Sequence, residues 1–184
     1  MLIIIVNIGL FSEEVEDYSK DRKWTIQTSP GFYLMNIASL AAGDLFIVDL
    51  EGQYKINHIF NVSLTLSFMT SFWYTDNLMV NIKPMFIYRP LKTGLKGFYL
   101  GLYPIFGIMN TGNYYYGYDI TYEVGFGLNL GYKWILKNGF TIQWGSGIGK
   151  TWSDDKFMNF SSDGRLLFKY LDIFPIDFKI GYSF

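Results

Sequence analysis

Nine charged residues that could do chemistry recur on odd-numbered positions: Asp49, Glu51, Lys55, Lys83, Arg89, Glu123, Lys133, Asp177 and Lys179. Acids and bases in this pattern are the raw material for an ion-pair network, a proton path or general acid–base catalysis. Catalysis finds little else to work with. The only histidine is His58, in a turn-like "NHIF", and there is no cysteine, which removes thiol nucleophiles, disulfides and cysteine metal sites. "GSGIGKT" (Gly145 to Thr151) looks like a phosphate-binding loop, but the first glycine of G-x-x-x-x-G-K-T would fall on Trp144 and no helical pattern follows. "SDDKFMNFSSDG" is acidic yet lacks the ordered ligand spacing of a calcium loop. The expectation is no enzyme, no cofactor and no metal.

The elements that must position those charges follow one rule. From Tyr118 to Trp134 every even position is large and apolar or aromatic, while the odd positions read Asp, Thr, Glu, Gly, Gly, Asn, Gly, Lys. At half-apolar composition such a run arises by chance about once in a hundred thousand windows, so it reads as a β-strand. Seven more segments share the rule and are separated by turn signals. Their large faces run Trp24 to Leu34, Phe46 to Ile56, Val62 to Phe72, Leu78 to Tyr88, Phe98 to Ile108, Phe140 to Ile148, and Phe174 to the terminal Phe184. Eight consecutive antiparallel strands without a helix call for an all-β, closed up-and-down barrel. Pro30, Pro84 and Pro104 lie within strands of a fold that has no edge to hide them, so bulges are expected there.

The interior of an eight-stranded barrel is only wide enough to be filled by side chains. The large face has about fifty positions, nearly all bulky, which would not fit. The other face is rich in Gly, Ser and Thr, which do. The apolar face is therefore expected outside, and its solvent is lipid. Composition agrees: half the residues are hydrophobic, a fifth aromatic and only 17% charged, against about 25% in an average globular protein. A net charge of −1 gives no case for nucleic acid. No apolar run reaches the ~18 residues of a membrane-spanning helix.

"LIIIVNIGLF" suits the apolar region of a secretory signal peptide, although no Lys or Arg precedes it and no A-x-A site follows; a first β-strand is the alternative. The resulting division is a signal peptide over 1–12 with its basic start incomplete, a periplasmic linker over 13–22, and a barrel over 23–184. Short connections ("NHIF", "PLKTGLK", "LKNG") alternate with mostly longer ones ("NIASLAAGD", "TGNYYYGYD", "SDDKFMNFSSDGR"). Such alternation puts both termini in the periplasm. Aromatics then form a lower belt (Trp24, Tyr88, Phe98, Trp134, Phe140, Phe184) and an upper belt (Phe32, Phe46, Phe72, Tyr118, Phe174).

On the inward face, the nine charges are expected to pair, because an unpaired buried charge is costly. They read as a salt-bridged plug, with a polar conduction path as the alternative. Nearer the upper end, Tyr33, Met35, Leu45, Ile47, Met69, Trp73, Met79, Met109 and Ile173 share inward parity. These residues suggest an adaptable apolar cup or simple filling beneath the loops.

The stretch from Lys23 to Phe184 resembles the small eight-stranded outer-membrane barrels, the OmpX, OmpW and OmpA transmembrane-domain class. Its terminal "FKIGYSF" looks like the signal read by the barrel-assembly machinery, carried here by Ile176, Phe178, Ile180, Tyr182 and Phe184. The resemblance implies a monomer in the bacterial outer membrane, with lipid and the assembly machinery as partners. The leading expectation is a structural or surface-interaction role through the extracellular loops. The alternative is an OmpW-like, porin-like path or binding site for small hydrophobic molecules, entered through the cup.

Overall fold

The computed structural model describes residues 21–30, 45–71, 78–91, 94–113, 117–153, 166–167 and 172–184, with the backbone alone for 45, 71, 111–113, 117–119, 153, 166–167 and 172–176. The strands are β1 (Trp24–Thr28), β2 (Leu45–Lys55), β3 (Phe60–Ser71), β4 (Leu78–Tyr88), β5 (Gly97–Asn113), β6 (Gly117–Ile135), β7 (Phe140–Ser153), β8 (Leu166–Leu167) and β9 (Asp172–Ser183). Each pairs antiparallel with its neighbour, and β1 pairs with β9, so eight strands close into a barrel. β8 is a two-residue addition to β9. No helix among the described residues is long and apolar enough to cross a membrane.

At the end holding the short turns, closure is reinforced by backbone hydrogen bonds. The Phe184 carbonyl accepts from the amides of Lys23 (3.0 Å) and Trp24 (2.9 Å), and the Phe184 amide donates to the Trp24 carbonyl at 2.9 Å. Arg22 fastens the seam from outside the ladder, donating to the carbonyls of Ser183 (2.9 Å) and Lys137 (2.8 Å). The turns are built by side-chain acceptors. Asn57 Oδ1 takes the amides of Ile59 and Phe60, each at 2.8 Å, and Asn138 Oδ1 takes that of Phe140 at 3.0 Å. Gly139 adopts φ +97°, a conformation that leaves glycine as the residue of choice after Asn138.

Alternation along each strand sends the large residues outward. Phe126 is 55% exposed, Leu128 53% and Trp144 58%. Tilted ring pairs gather on this face near the turns, Trp24 with Tyr54 at 4.6 Å and Phe60 with Phe86 at 5.3 Å. The interior contains more than small residues and charges. Met85, Ile87, Tyr99, Tyr103 and Ile105, from β4 and β5, form a buried apolar cluster. Tyr99 and Tyr103 lie across a glycine floor on β6 and β7. A Cβ at Gly127 would stand 2.6 Å from the Tyr103 ring, and one at Gly131 would stand 2.7 Å from the Tyr99 hydroxyl and 2.4 Å from the Trp144 carbonyl. The glycines are what let two large rings fit so narrow a lumen.

The prolines are handled differently from the expectation of a bulge at each. Pro30 lies beyond Thr28, where β1 ends. Pro84 and Pro104 fall opposite each other: the register runs unshifted from Ile82↔Phe106 to Phe86↔Leu102, with the three rungs between them unpaired. The flanking ladders stay intact at Leu64↔Pro84 and Pro104↔Phe126. Both missing N–H groups thus face the same seam, and one gap absorbs two prolines. The bulge occurs at Pro175. Gly145 pairs with Asp177 but Gly147 with Phe174, leaving Pro175 and Ile176 opposite Ser146 alone. Above it Phe174 pairs with Gly147 and Ile173 with Ile148, so the register of β9 against β7 is offset by one residue from that below.

The Tyr-rich "TGNYYYGYD" is also not a long loop. Thr111↔Asp119, Gly112↔Tyr118 and Asn113↔Gly117 continue the β5–β6 ladder to a connection of residues 114–116. Phe32, Leu34 and Phe72, and the "SDDKFMNFSSDG" segment beyond Ser153, lie outside the described residues.

Gly131→Ala is expected to lower unfolding stability by about 1–3 kcal/mol, because backbone as well as a ring must give way. Gly52→Ala, whose new Cβ meets nothing within 4 Å, should be neutral or slightly stabilising. Equal stabilities in a denaturant titration would contradict the packing of Tyr99 on the glycine floor.

Candidate functional site

The lumen is built in rungs, because each odd residue of a strand lies beside an odd residue of its neighbour. At the turn end, the hydroxyls of Thr25 and Ser183 meet at 2.8 Å and those of Ser183 and Thr141 at 3.0 Å. Asn61 Nδ2 donates to the Gly94 carbonyl at 2.9 Å, and the buried Lys55 side chain passes beneath Gly94. Arg89 is wholly buried, donates to the Gly97 carbonyl at 2.9 Å and stands 5.4 Å from the centroid of the Tyr99 ring. Lys133 is also wholly buried and donates to Gln53 Oε1, while Gln27 Nε2 donates to Gln143 Oε1 at 3.0 Å.

The middle of the lumen carries the acids. Lys179 Nζ forms an ion pair with Glu51 Oε2 and a second, at 3.3 Å, with Asp177 Oδ1. Asp177 Oδ2 accepts from Asn129 Nδ2 at 2.8 Å. The buried Asp49 accepts from Ser29 Oγ at 2.8 Å. Lys83 is half-buried opposite Thr65, itself the register partner of Glu51. Glu123 and Asn81 converge over Gly107, where a Cβ would meet Asn81 Oδ1 at 2.3 Å and Glu123 Oε2 at 3.2 Å.

Among the nine charges expected to pair, the structure therefore brings Glu51, Lys179 and Asp177 into direct ionic contact. It gives Lys133 and Arg89 neutral acceptors instead. An amide or carbonyl oxygen satisfies a donor and leaves the net charge in place. The buried positive charge is thus concentrated at the turn end and the negative charge at mid-lumen.

Above the acids, one continuous rung crosses four strands: Ile47↔Met69, Met69↔Met79 and Met79↔Met109. Inward side chains of a closed barrel converge, so this rung forms an apolar layer beneath the loop end. Tyr33, Met35 and Trp73, expected in the same cup, lie outside the described residues. At the other end of the chain Phe178, Tyr182 and Phe184 face outward and are exposed, Ile180 is half-exposed, and Ile176 lies in the bulge.

His58 is exposed in turn 56–59, outside the lumen, and Gly145 to Thr151 is regular β7 strand. No cluster of three His, Cys, Asp or Glu side chains suited to a metal occurs among the described residues. The sequence reading passed over Gln27, Gln53, Gln143, Tyr99 and Tyr103. Their signal was their odd parity, the same signal that picked out the charges.

Removing Lys179 leaves the buried Glu51 and the half-buried Asp177 without the cation they share. Lys179→Met is expected to cost about 3–5 kcal/mol of stability, and pairing it with Glu51→Gln should recover part of that. An additive double variant in denaturant unfolding would show that the two groups do not interact. No family model, no curated protein and no solved structure matches the chain.

Proposed function

We propose that this chain is a small bacterial outer-membrane barrel with its termini in the periplasm and its lumen closed by its own side chains. In this reading it acts structurally or by surface interaction through the segments at the loop end. The observation that carries the reading is an inverted arrangement of polarity. Large apolar side chains point outward and exposed on strand after strand, while Arg89, Lys133, Lys179 and Glu51 are buried inside. A water-soluble barrel needs the reverse, and lipid is the solvent that rewards this arrangement. The exposed Phe184 on an apolar C-terminal strand supports recognition by the barrel-assembly machinery. The hydrogen-bonded rungs of the lower and middle lumen support closure rather than conduction.

A second reading, a binding site or narrow path for small hydrophobic molecules, is favoured by the Ile47–Met69–Met79–Met109 rung. Methionine fits irregular apolar shapes and adapts to what enters.

The folded protein in detergent should migrate differently on a gel before and after boiling and give a β-rich circular dichroism spectrum; a water-soluble monomer with helical signal would end this reading. Phe184→Ala should reduce insertion in cells far more than it destabilises folded barrel, since one side chain contributes only about 1.5–3 kcal/mol of apolar burial. Bilayer conductance separates the two functions. A closed barrel stays silent with or without hydrophobic solutes, whereas a solute path binds an apolar probe that Met79→Lys and Met109→Lys displace.

A further inference from the structure

Arg89 and Lys133 are both wholly buried, and their contacts tie them to one stretch of the lower lumen. Arg89 Nη1 donates to the carbonyl of Gly97, which is the register partner of Lys133, and Lys133 donates to Gln53 Oε1. The two cations are close enough to repel each other. Beside them are buried donors with no hydrogen-bond partner: Arg89 Nε and Nη2, Gln53 Nε2, and the hydroxyl of Ser63, the register partner of Gln53. Unpartnered acceptors occur too, but Gln27 Oε1 and Glu51 Oε1 belong to the next rung, Gln27↔Glu51. Buried donors are normally satisfied, and a guanidinium with two bonds unmade is the costliest kind of exception.

The charges at this level do not balance. Glu51 is the carboxylate whose field reaches both Arg89 and Lys133, and it is already paired with Lys179. Asp177 shares that same lysine, and Asp49 faces Lys179 and Lys83. Three carboxylates thus stand among four cations. Lys55 and Glu123, each with partners of its own, lie toward the turn end and the loop end of this group and offset one another in sign. One positive charge is left over, and it falls where the unpartnered donors are. A water molecule would satisfy those donors but leave the charge in place, and an uncompensated buried charge is costly.

We propose that the lower lumen binds one small monovalent anion, a halide such as chloride, between the unpartnered edge of Arg89 and Lys133, with Gln53 Nε2 and the Ser63 hydroxyl as further donors. Size favours a single atom. An eight-stranded barrel has an interior only as wide as side chains can fill, which leaves no room for a phosphate or an organic carboxylate. The site is closed from below by the Thr25, Ser183 and Thr141 hydroxyls and by Leu95, which is fully buried. The anion is therefore taken in as the barrel folds.

Two measurements test this. In the first, the full chain is refolded in detergent with sodium bromide as the only halide, crystallised, and its anomalous diffraction recorded at the bromine edge. A bromide peak in contact with Arg89 Nε or Nη2 is expected; density there without anomalous signal identifies water and overturns the proposal. The second follows unfolding in urea, which adds no anion, at constant ionic strength with gluconate replacing chloride. For one site the folding equilibrium constant should rise about tenfold for each tenfold increase in chloride above saturation. Arg89→Met should lose that dependence. No dependence in the unchanged protein, or an equal dependence in Arg89→Met, overturns the site. The bromide measurement needs no substitution, so it decides the matter if Arg89→Met does not fold.

Discussion

The hydrogen bonds between Trp24 and Phe184 close the sheet on itself, and closure with eight strands leaves an interior only as wide as side chains can fill. Most other features answer to that width. Bulky residues must go outside, so the exterior is apolar. Small residues must line part of the inside, so glycines recur on β6 and β7 where Tyr99 and Tyr103 cross the lumen. Charged side chains that enter must find acceptors within a few ångströms, because there is little room for a hydration shell.

Closure also removes the edge on which a sheet normally places its prolines. The barrel has two solutions. Pro84 and Pro104 are set opposite each other, so two absent donors interrupt a single ladder while the ladders on either side continue. Pro175 is accommodated by an extra residue, and the strand resumes with its register offset by one. The first solution preserves register at the expense of three rungs, and the second preserves most of the ladder at the expense of register.

Inside, the electrostatics divide by height. Glu51 and Asp177 hold Lys179, while Lys133 and Arg89, nearer the turns, are held by an amide, a carbonyl and an aromatic ring. A neutral acceptor takes a donor of a buried cation without cancelling its charge: Arg89 Nη1 reaches the Gly97 carbonyl, while its Nε and Nη2 have no hydrogen-bond partner. The same sharing of donors links the turn end to Arg22, whose contacts across the seam are also to carbonyls. The lower lumen therefore holds buried cations on neutral acceptors, set against acids at mid-lumen.

Local alternation determined much of this. A period of two maintained from Tyr118 to Trp134 establishes a strand, its two faces and which of them is too bulky for the interior. It also sorts Glu51, Lys179, Met79 and Met109 to the inward side. Alternation is a local property, so it says nothing about what lies across the lumen. The Glu51–Lys179 pair joins residues 128 apart in sequence, and only the register accumulated around the closed sheet brings them to one height. The partners of Lys133 and Arg89 are neutral for the same reason: the side chains that reach them are decided by barrel geometry, not by complementary charge along the chain. The Gly- and Asn-containing "TGN" and "GYD" read as turn because those residues favour turns, yet cross-strand pairing carries both strands through them. The register offset at Pro175 was hidden as well, since a bulge depends on how many residues the neighbouring strand presents, and β7 presents Ser146 alone.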